Sequence, residues 1–356
     1  MRELGALLAQ ERIVLAHGGG GELMQLFIRE RLLPQLSNPT LDRLTDSAVL
    51  PWTADNLVFT TDSFVVTPLE FPGGDIGRLA VCGTVNDLAV MGAEPIALSL
   101  GLILEEGLPL ATLDRVLTSL ADAAREAGVR IVTGDTKVIE RRALAPGDED
   151  QGEPVIDAGM LINTSGVGRM HPGVHLGLER IAIDDRIVVS GRIAEHGLAV
   201  MAQRDGLRLD TTLESDAAPL NGLIDQMLRS GADIRFLRDA TRGGLAGVFA
   251  DIRDATQRTL DIDESAVPVS RTARRAADWY GIDPLTVANE GVVVAVVDPP
   301  GCDRLLAAMH AHPLGVSARC IGRVCDETPP LIELRTALGG RRVLERPYGE
   351  DLPRIC

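Results

Sequence analysis

The sequence predicts a mixed α/β or α+β protein built from two domains. Three observations carry this. Stretches of strand character alternate with stretches of helical period along the whole chain. The 356 residues exceed what one compact core usually organises and suit two domains of ordinary size. The two halves share a similar rhythm of elements, and the second begins near Arg169. Apolar residues make up 45% of the chain but aromatics only 3%, so aliphatic side chains and alanine must fill the core.

After four glycines, "ELMQLFIRERLL" sets Met24, Ile28 and Leu32 on one helical stripe, and Pro34 stops it. "LVFTTDSFVV" reads as a buried strand interrupted by Thr61, Asp62 and Ser63. "IGRLAVCGTVNDLAVMGA" is apolar on all sides and ends at Gly92, as a buried helix does. "PIALSLGLILE" is a strand. "LATLDRVLTSLADAAREAG" is amphipathic, with Leu113, Val116, Leu117, Leu120 and Ala124 in register and Gly128 as its stop. "VRIVTGDTKVIE" and "DAGMLINTSGVG" are strands on either side of an acidic loop, "ALAPGDEDQGEP". The second half predicts a strand at "RIVVSGRI" and helices around 196–204 and 219–230. "RFLRDATRGGLAGVFADIRDA" follows, then a helix at "SRTARRAADWYG" and a strand at "VVVAVVD". A helix at "CDRLLAAMHAH" and a strand at "ARCIGRV" complete the pattern, with a hairpin expected around Gly339-Gly340. The last ten residues, "PYGEDLPRIC", read as an irregular tail.

The net charge of −16 argues against nucleic-acid or anionic-membrane partners, which require basic surface. The N-terminus carries charges inside its apolar part and has no small-residue cleavage site, and no apolar run is long enough to span a bilayer. A cytoplasmic enzyme is the expectation. Five cysteines fit no zinc spacing. Cys82, Cys302, Cys320 and Cys325 read as reduced, buried small hydrophobes, whereas Cys356 stands apart as the last residue.

Three motifs bear chemistry. Gly18, Gly19, Gly20 and Gly21, bordered by His17, precede a helix, where successive N–H groups can cradle phosphate. Asp62, Asp87 and Asp135 sit at strand ends or in apolar helix, where a carboxylate needs a cation or several donors. Each alone fits a cap or a salt bridge. Together, with Lys137 beside Asp135, they point to Mg²⁺ bridging the phosphates of ATP. In the second half, Arg238, Asp239, Thr241 and Arg242 precede Gly243-Gly244 as a further anion turn, and Asn289-Glu290-Gly291 offers a tuned acid or base. His196 reads as an ordinary core histidine. A terminal thiol on a ten-residue tail reaches roughly 33 Å at about 3.3 Å per residue.

The stretches "AHGGGGELM", "FTTDSFVVTPLEFPGGDIGRLAVCGTVNDLAVMGAEP", "VTGDTKV", "RDATRGG", "ANEG", "HPLG" and the terminal "PRIC" together resemble the HypE family of hydrogenase maturation proteins. That family lies in the superfamily of aminoimidazole ribonucleotide synthetase and selenophosphate synthetase. The resemblance runs from about Val14 to Cys356. It implies a PurM-like α+β fold, with a β-rich N-terminal dimerisation domain, an α/β C-terminal domain and a flexible tail. The expected boundaries are 1–43 for the loop and first helix, 44–168 and 169–330 for the two domains, and 331–356 for the tail. It also implies carbamoylation of Cys356 by HypF, ATP-dependent dehydration of the S-carboxamide to S-cyanate, and delivery of cyanide to iron on the HypC–HypD complex. Asp62, Asp87 and Asp135 would hold Mg²⁺ and ATP phosphates, with His17, the four glycines, Asn86, Thr136 and Asp239 also lining the nucleotide. Lys137 and Glu290 would assist the chemistry on Cys356. ATP would lie at a homodimer interface.

Gly19 departs from the serine usual in the family loop, and the acidic 143–154 segment resembles an insertion. Two other classes remain open at this point. One is an ATP-dependent superfamily enzyme acting on a free small molecule, although the cysteine that selenophosphate synthetases carry near the glycine loop is absent. The other is a nucleotide-binding scaffold without turnover.

Overall fold

The computed structural model describes residues 21–27, 29, 43–44, 48–51, 56–139, 159–207 and 213–347. The first half holds α1 (Glu22–Phe27), β1 (Ala48–Pro51), β2 (Asn56–Phe64), the short β3 (Glu70–Phe71) and β4 (Gly74–Asp75), and α2 (Ile76–Val90). β5 (Ala93–Glu105), α3 (Leu110–Glu126), β6 (Arg130–Ile139) and β7 (Met160–Met170) complete it. Its sheet has the order β1-β2-β7-β5-β6. β5 and β6 are parallel with α3 between them, and the other pairs are antiparallel.

The second half holds β8 (Arg186–Val189), α4 (Glu195–Arg204), α5 (Asn221–Leu228), β9 (Ile234–Asp239), α6 (Gly244–Thr256) and β10 (Thr259–Asp263). α7 (Arg271–Tyr280), β11 (Val293–Val297), α8 (Cys302–His310), β12 (Arg319–Cys325), β13 (Ile332–Arg335) and β14 (Arg341–Val343) follow. These strands make a seven-stranded sheet, β14-β13-β10-β12-β8-β11-β9. β11 is wholly buried near one side of it, as the run "VVAVV" requires. No helix among the described residues is long and apolar enough to cross a membrane.

α3 buries Val116, Leu120, Ala123 and Ala124, with Leu113 and Leu117 packed beside them, so the amphipathic register holds. The hairpin expected around Gly339-Gly340 forms as β13–β14 and extends the second sheet. Residues up to Val343 therefore belong to the folded body rather than to a tail. β10 was not legible. It pairs with β12 and β13, and its Asp261 is neutralised by Arg335 at 2.8 Å and Arg323 at 3.5 Å, partners distant in sequence.

α2 is the shared element. Asp75 caps its N-terminus by accepting from Arg78 N at 2.9 Å. It packs on β2, β5 and β7 and also against α5 and β9, so its apolar surface is covered from both halves. One hydrophobic cluster accordingly runs through both halves, from Phe64 and Val85 to Ile187 and Val294. In the middle of this helix sits Asn86, 1% exposed. Its Nδ2 donates to Ala218 O (3.1 Å) and Glu290 O (3.0 Å), and its Oδ1 accepts from Leu220 N (2.7 Å).

Asn86→Ala removes a buried partner from three backbone groups at once. It should lower stability by about 3 kcal/mol or more, read as a drop in urea midpoint, because each stranded buried group costs on the order of 1–3 kcal/mol.

Candidate active site

The site forms where α2 and β2 face the loops of the second half. Val58, Thr60, Asp62 and Phe64 share the inner face of β2, and α2 packs on β2. Thr60 Oγ1 donates to Asp87 Oδ2 at 2.7 Å, which ties β2 to α2 and aims the Asp87 carboxylate along the strand. Asp62 accepts from Ser63 N at 2.7 Å and pairs with Arg242 at 3.3 Å. Burial nevertheless pushes the Asp62 carboxyl above its ordinary range, with Arg242 opposing.

Arg242 comes from the turn "RDATRGG". Gly243 (φ +73°) and Gly244 (φ +58°) both take the left-handed conformation that starts α6, and a side chain on Gly244 would strike the Val287 carbonyl. The next loop, "ANEG", is pinned by Asn289. Its Nδ2 donates to Ala240 O and Val287 O, both at 2.9 Å, and its Oδ1 accepts from Ala194 N at 2.7 Å. Gly291 has no room for a side chain against the Asp216 carbonyl. Glu290 is thus held 3% exposed, its Oε2 3.9 Å from where a side chain on Gly83 of α2 would begin. Burial first, then the charges of Asp239, Asp216 and Asp62, hold its carboxyl well above the usual range, with Arg242 in opposition. Such a group holds its proton more tightly than an ordinary carboxyl, a perturbation common at functional sites.

The chain's end arrives at the same place. Glu22 N, directly after buried Gly21, donates to Pro347 O at 3.2 Å. Arg346 is nearly buried and pairs with Asp251 at 2.5 Å and with Glu22 at 3.9 Å. A side chain on Gly243 would meet Pro347 at 4.0 Å. The end of the glycine loop, the start of the tail and the Arg242 turn therefore converge.

Other expectations are corrected. Asn86 does not line a nucleotide, because its amide is fully engaged within the protein. Asp62, Asp87 and Asp135 do not form one metal cluster, and no group of three ligating side chains does among the described residues. Register explains this. Ser63 pairs with Asn163, Asn163 with Gly101, and Gly101 with Asp135, so Asp135 shares the outer face with Ser63 and lies on the opposite face from Asp62. It also lies roughly 14 Å away, across three strand spacings of about 4.8 Å. Asp135 pairs with Lys137 at 2.8 Å, both well exposed, and this contact holds the Asp135 carboxyl below its usual range. Thr136 follows on the same edge strand. His196 is a core residue, bonded to Ser215 Oγ at 2.8 Å and packed edge-on against Phe71. His17, Gly18, Gly19, Gly20, Cys356 and the acidic 143–154 segment lie outside the described residues.

Asp216 escaped the sequence reading. It stands in the loop "LESDAAPLN", with nothing periodic to mark it. Its Oδ1 accepts from Glu290 N at 3.0 Å, and its Oδ2 is buried without a hydrogen-bond partner.

Two α/β halves meeting over a carboxylate-lined junction define a protein of the AIR synthase type. Residues 44–164 match the family model for the AIR synthase related protein N-terminal domain, and residues 182–330 match that for its C-terminal domain. The chain is 43% identical to carbamoyl dehydratase HypE of Rhizobium leguminosarum bv. viciae, over 98% of this chain and 96% of the relative. It is 42% identical to carbamoyl dehydratase HypE of Escherichia coli K12, over 97% and 99%. A crystal structure of HypE in complex with ATP superposes with TM-score 0.78 at 40% identity, covering 97% of this chain and all of that one. A HypE–HypF complex gives 0.82 at 40%, covering 90% and 99%. Thiamine monophosphate kinase of Aquifex aeolicus, at 14% identity and TM-score 0.63 over 90% and 99%, shares the fold alone. The chain belongs to the AIR synthase related family and, within it, to the carbamoyl dehydratases called HypE.

Burial raises the Asp216 pKa from 3.8 to about 7. The folded state then keeps a proton that the unfolded chain releases. The stabilisation is complete below the unfolded value and is lost as pH rises through about 7. Asp216→Asn retains an acceptor for Glu290 N without that proton. It should therefore gain stability relative to the wild type between about pH 5 and about pH 8. Melting curves across that range check the sign.

Proposed function

We propose that the enzyme dehydrates a carboxamide carried on the Cys356 thiol to a thiocyanate, using ATP, and so makes the cyanide ligand for NiFe hydrogenase iron. The observation that carries this reading is the convergence of Pro347, Gly21–Glu22 and the Arg242–Asp62–Glu290 cluster. Nine residues follow Pro347. At about 3.3 Å each they reach roughly 30 Å, more than enough for the terminal thiol to enter the junction.

The carboxamide oxygen is a poor leaving group. Its attack on the ATP γ-phosphorus releases ADP and makes it a phosphate ester of the isocarboxamide. Loss of the remaining N–H proton and departure of phosphate then leave S–C≡N. Glu290 would be the base for the nitrogen protons once ionised, since its buried carboxylate then binds a proton more tightly than an ordinary one. The glycine loop would supply N–H donors toward phosphate, and Arg242, paired with Asp62, offers a cation. Asp62 and Asp87 would hold Mg²⁺, which typically takes one or two carboxylates and completes its shell with phosphate oxygens and water. It would neutralise charge on the transferring phosphoryl group.

Asp135 and Lys137 fit this scheme through a second copy of the chain. Phe59, Ile103 and Ile139, which register places with Asp135 on the face of the first sheet opposite α2, are exposed. We read that face as the homodimer surface, which would place Asp135 and Lys137 at the subunit junction beside nucleotide. HypF as carbamoyl donor and HypC–HypD as cyanide acceptor complete the proposal, as does a place in the cytoplasm. The likeness to carbamoyl dehydratases and to HypE in its complex with HypF supports the dehydratase and the HypF partner.

Intact mass of the full chain after incubation with HypF, carbamoyl phosphate and ATP should show the carbamoyl adduct and then its loss of one water. Cys356→Ala should show neither mass change while still binding ATP. Glu290→Gln should accumulate the adduct and slow water loss by roughly 10²–10⁴-fold, the span typical of a removed general base. Unmodified Cys356 beside full ATP turnover would overturn the assignment.

Ile103→Arg places a charge on the open sheet face. Light scattering should give a dimer for the wild type and a monomer for the variant. A wild-type monomer would remove the proposed route for Asp135 and Lys137.

A further inference from the structure

We propose that Asp216 is a positioning residue for Glu290, and that it acts by holding the Glu290 backbone rather than by touching substrate. The inference rests on the dehydration proposed above, with Glu290 as its base. Glu290 is held on both sides of its own Cα. Its N–H donates to Asp216 Oδ1 at 3.0 Å, and its carbonyl accepts from Asn86 Nδ2, also at 3.0 Å. The two holds come from distant segments. Asn86 stands in the middle of α2, and Asp216 in the loop that leads to α5. Two such bonds restrict both the slide and the twist of the residue, and so the direction in which its side chain leaves the backbone.

The loop that carries Asp216 is itself fixed from several sides. Ser215 N donates to Pro72 O at 2.8 Å. Ser215 Oγ bonds to His196 Nδ1 of α4 at 2.8 Å and accepts from Ala217 N at 3.1 Å. Ala217 O accepts from Arg78 Nε of α2 at 2.7 Å. Ala218 O and Leu220 N both meet the Asn86 amide, at 3.1 and 2.7 Å. Pro72, Arg78 and Asn86 belong to the first half and His196 to the second, so the loop has a set position against both. The Asp216 carbonyl also abuts Gly291, where a side chain would collide. The bond from Asp216 to Glu290 N carries that position to the base. On this view the buried His196, which touches neither nucleotide nor tail, serves the reaction by steadying the loop.

A base must stand within hydrogen-bond reach of the proton it takes, and a misplacement of about 1 Å costs on the order of 10²-fold in rate. Loss of the Asp216 bond should therefore fall on the water-loss step and leave the earlier steps alone.

The test uses the full chain with HypF, carbamoyl phosphate and ATP, and reads the rate of water loss from the carbamoyl adduct by intact mass. Asp216→Ala should form the adduct and bind ATP as the wild type does, and lose water roughly 10²-fold more slowly. Asp216→Asn keeps an acceptor for the Glu290 N–H and should stay close to the wild-type rate. In a Glu290→Gln background, Asp216→Ala should cause no further slowing, because no base is left to position. Asp216→Leu, apolar and similar in shape, provides the same readouts should the alanine variant melt early. Wild-type rates in Asp216→Ala or Asp216→Leu would overturn the proposal. So would an Asp216→Asn protein as slow as the alanine variant, or equal slowing by Asp216→Ala with and without Glu290→Gln. Failure of the underlying reaction reads differently. The wild type would then keep its adduct, or Glu290→Gln would lose water at the wild-type rate, which removes the base and this role with it.

Discussion

Everything at the junction depends on the amide of Asn86. A helix that is apolar on all sides can be buried between two layers, but hydrophobic contact alone does not fix its rotation or slide. Asn86 does so with three directional bonds, two of them to the loop that precedes α5 and one to the carbonyl of Glu290 itself. Glu290 is therefore tied to the same helix that carries Asp87 one residue further on. Thr60 then ties Asp87 to β2, which carries Asp62. One chain of short contacts links three carboxylates from three distant segments at the junction. The low dielectric around the Asn86 bonds strengthens each of them and makes each costly to lose.

The charge of the chain looks opposed to a polyanionic substrate. The junction reconciles the two. Burial pushes the carboxyls of Asp62, Asp216 and Glu290 above their ordinary range, and for Glu290 the charges of Asp239, Asp216 and Asp62 add to it. Arg242 opposes this at Asp62 and Glu290, and it comes from the half of the protein opposite Asp62. Its attraction to Asp62 draws the halves together at the mouth, while Asn86 holds them at depth. Half-exposed, the Arg242–Asp62 pair is worth little as a stabilising contact. On the proposed reading its value lies in orientation, since an incoming phosphate would take over the guanidinium and free Asp62 for a metal ion.

Much of this fold was legible because its signals are local. α2 and α3 announce themselves by composition and period, β11 by its unbroken apolar run, and the β13–β14 hairpin by paired glycines. The site was legible as a list of residues but not as a geometry. Asp87 and Asn86 are neighbours in an apolar helix, yet one faces the opening and the other is buried as a latch. The choice between them is made by the α5 loop, about 130 residues away. Asp135 looked like a third ligand because it stands on a strand in the same half as Asp62 and Asp87, with Lys137 beside it. Which face it occupies follows from the pairing of β6 with β5 and of β5 with β7, which no single strand encodes. Asp216 and β10 were missed for the same reason. Their charges make sense only beside partners far along the chain, Glu290 in one case and Arg323 and Arg335 in the other.

The position of Pro347 gives the tail its physical meaning. A carrier thiol at the end of a chain gains nothing from length alone, since a longer tether dilutes the group it carries. Here the tether begins at the rim of the site. Arg346 anchors it to Asp251 of α6, and Pro347 rests on Gly243 and accepts from Glu22. On the proposed reading, only the nine residues beyond Pro347 separate this anchor from the carrier thiol, which would limit the entropy lost on docking. The same anchor couples the two ends of the chain, because Glu22 directly follows Gly21 and donates to Pro347 O. Phosphate binding at the glycine loop and docking of the carrier would then act on one hydrogen bond, between Glu22 N and Pro347 O. A nucleotide bound there would fix where the carrier begins, and so would bring the two reactants of the proposed dehydration together.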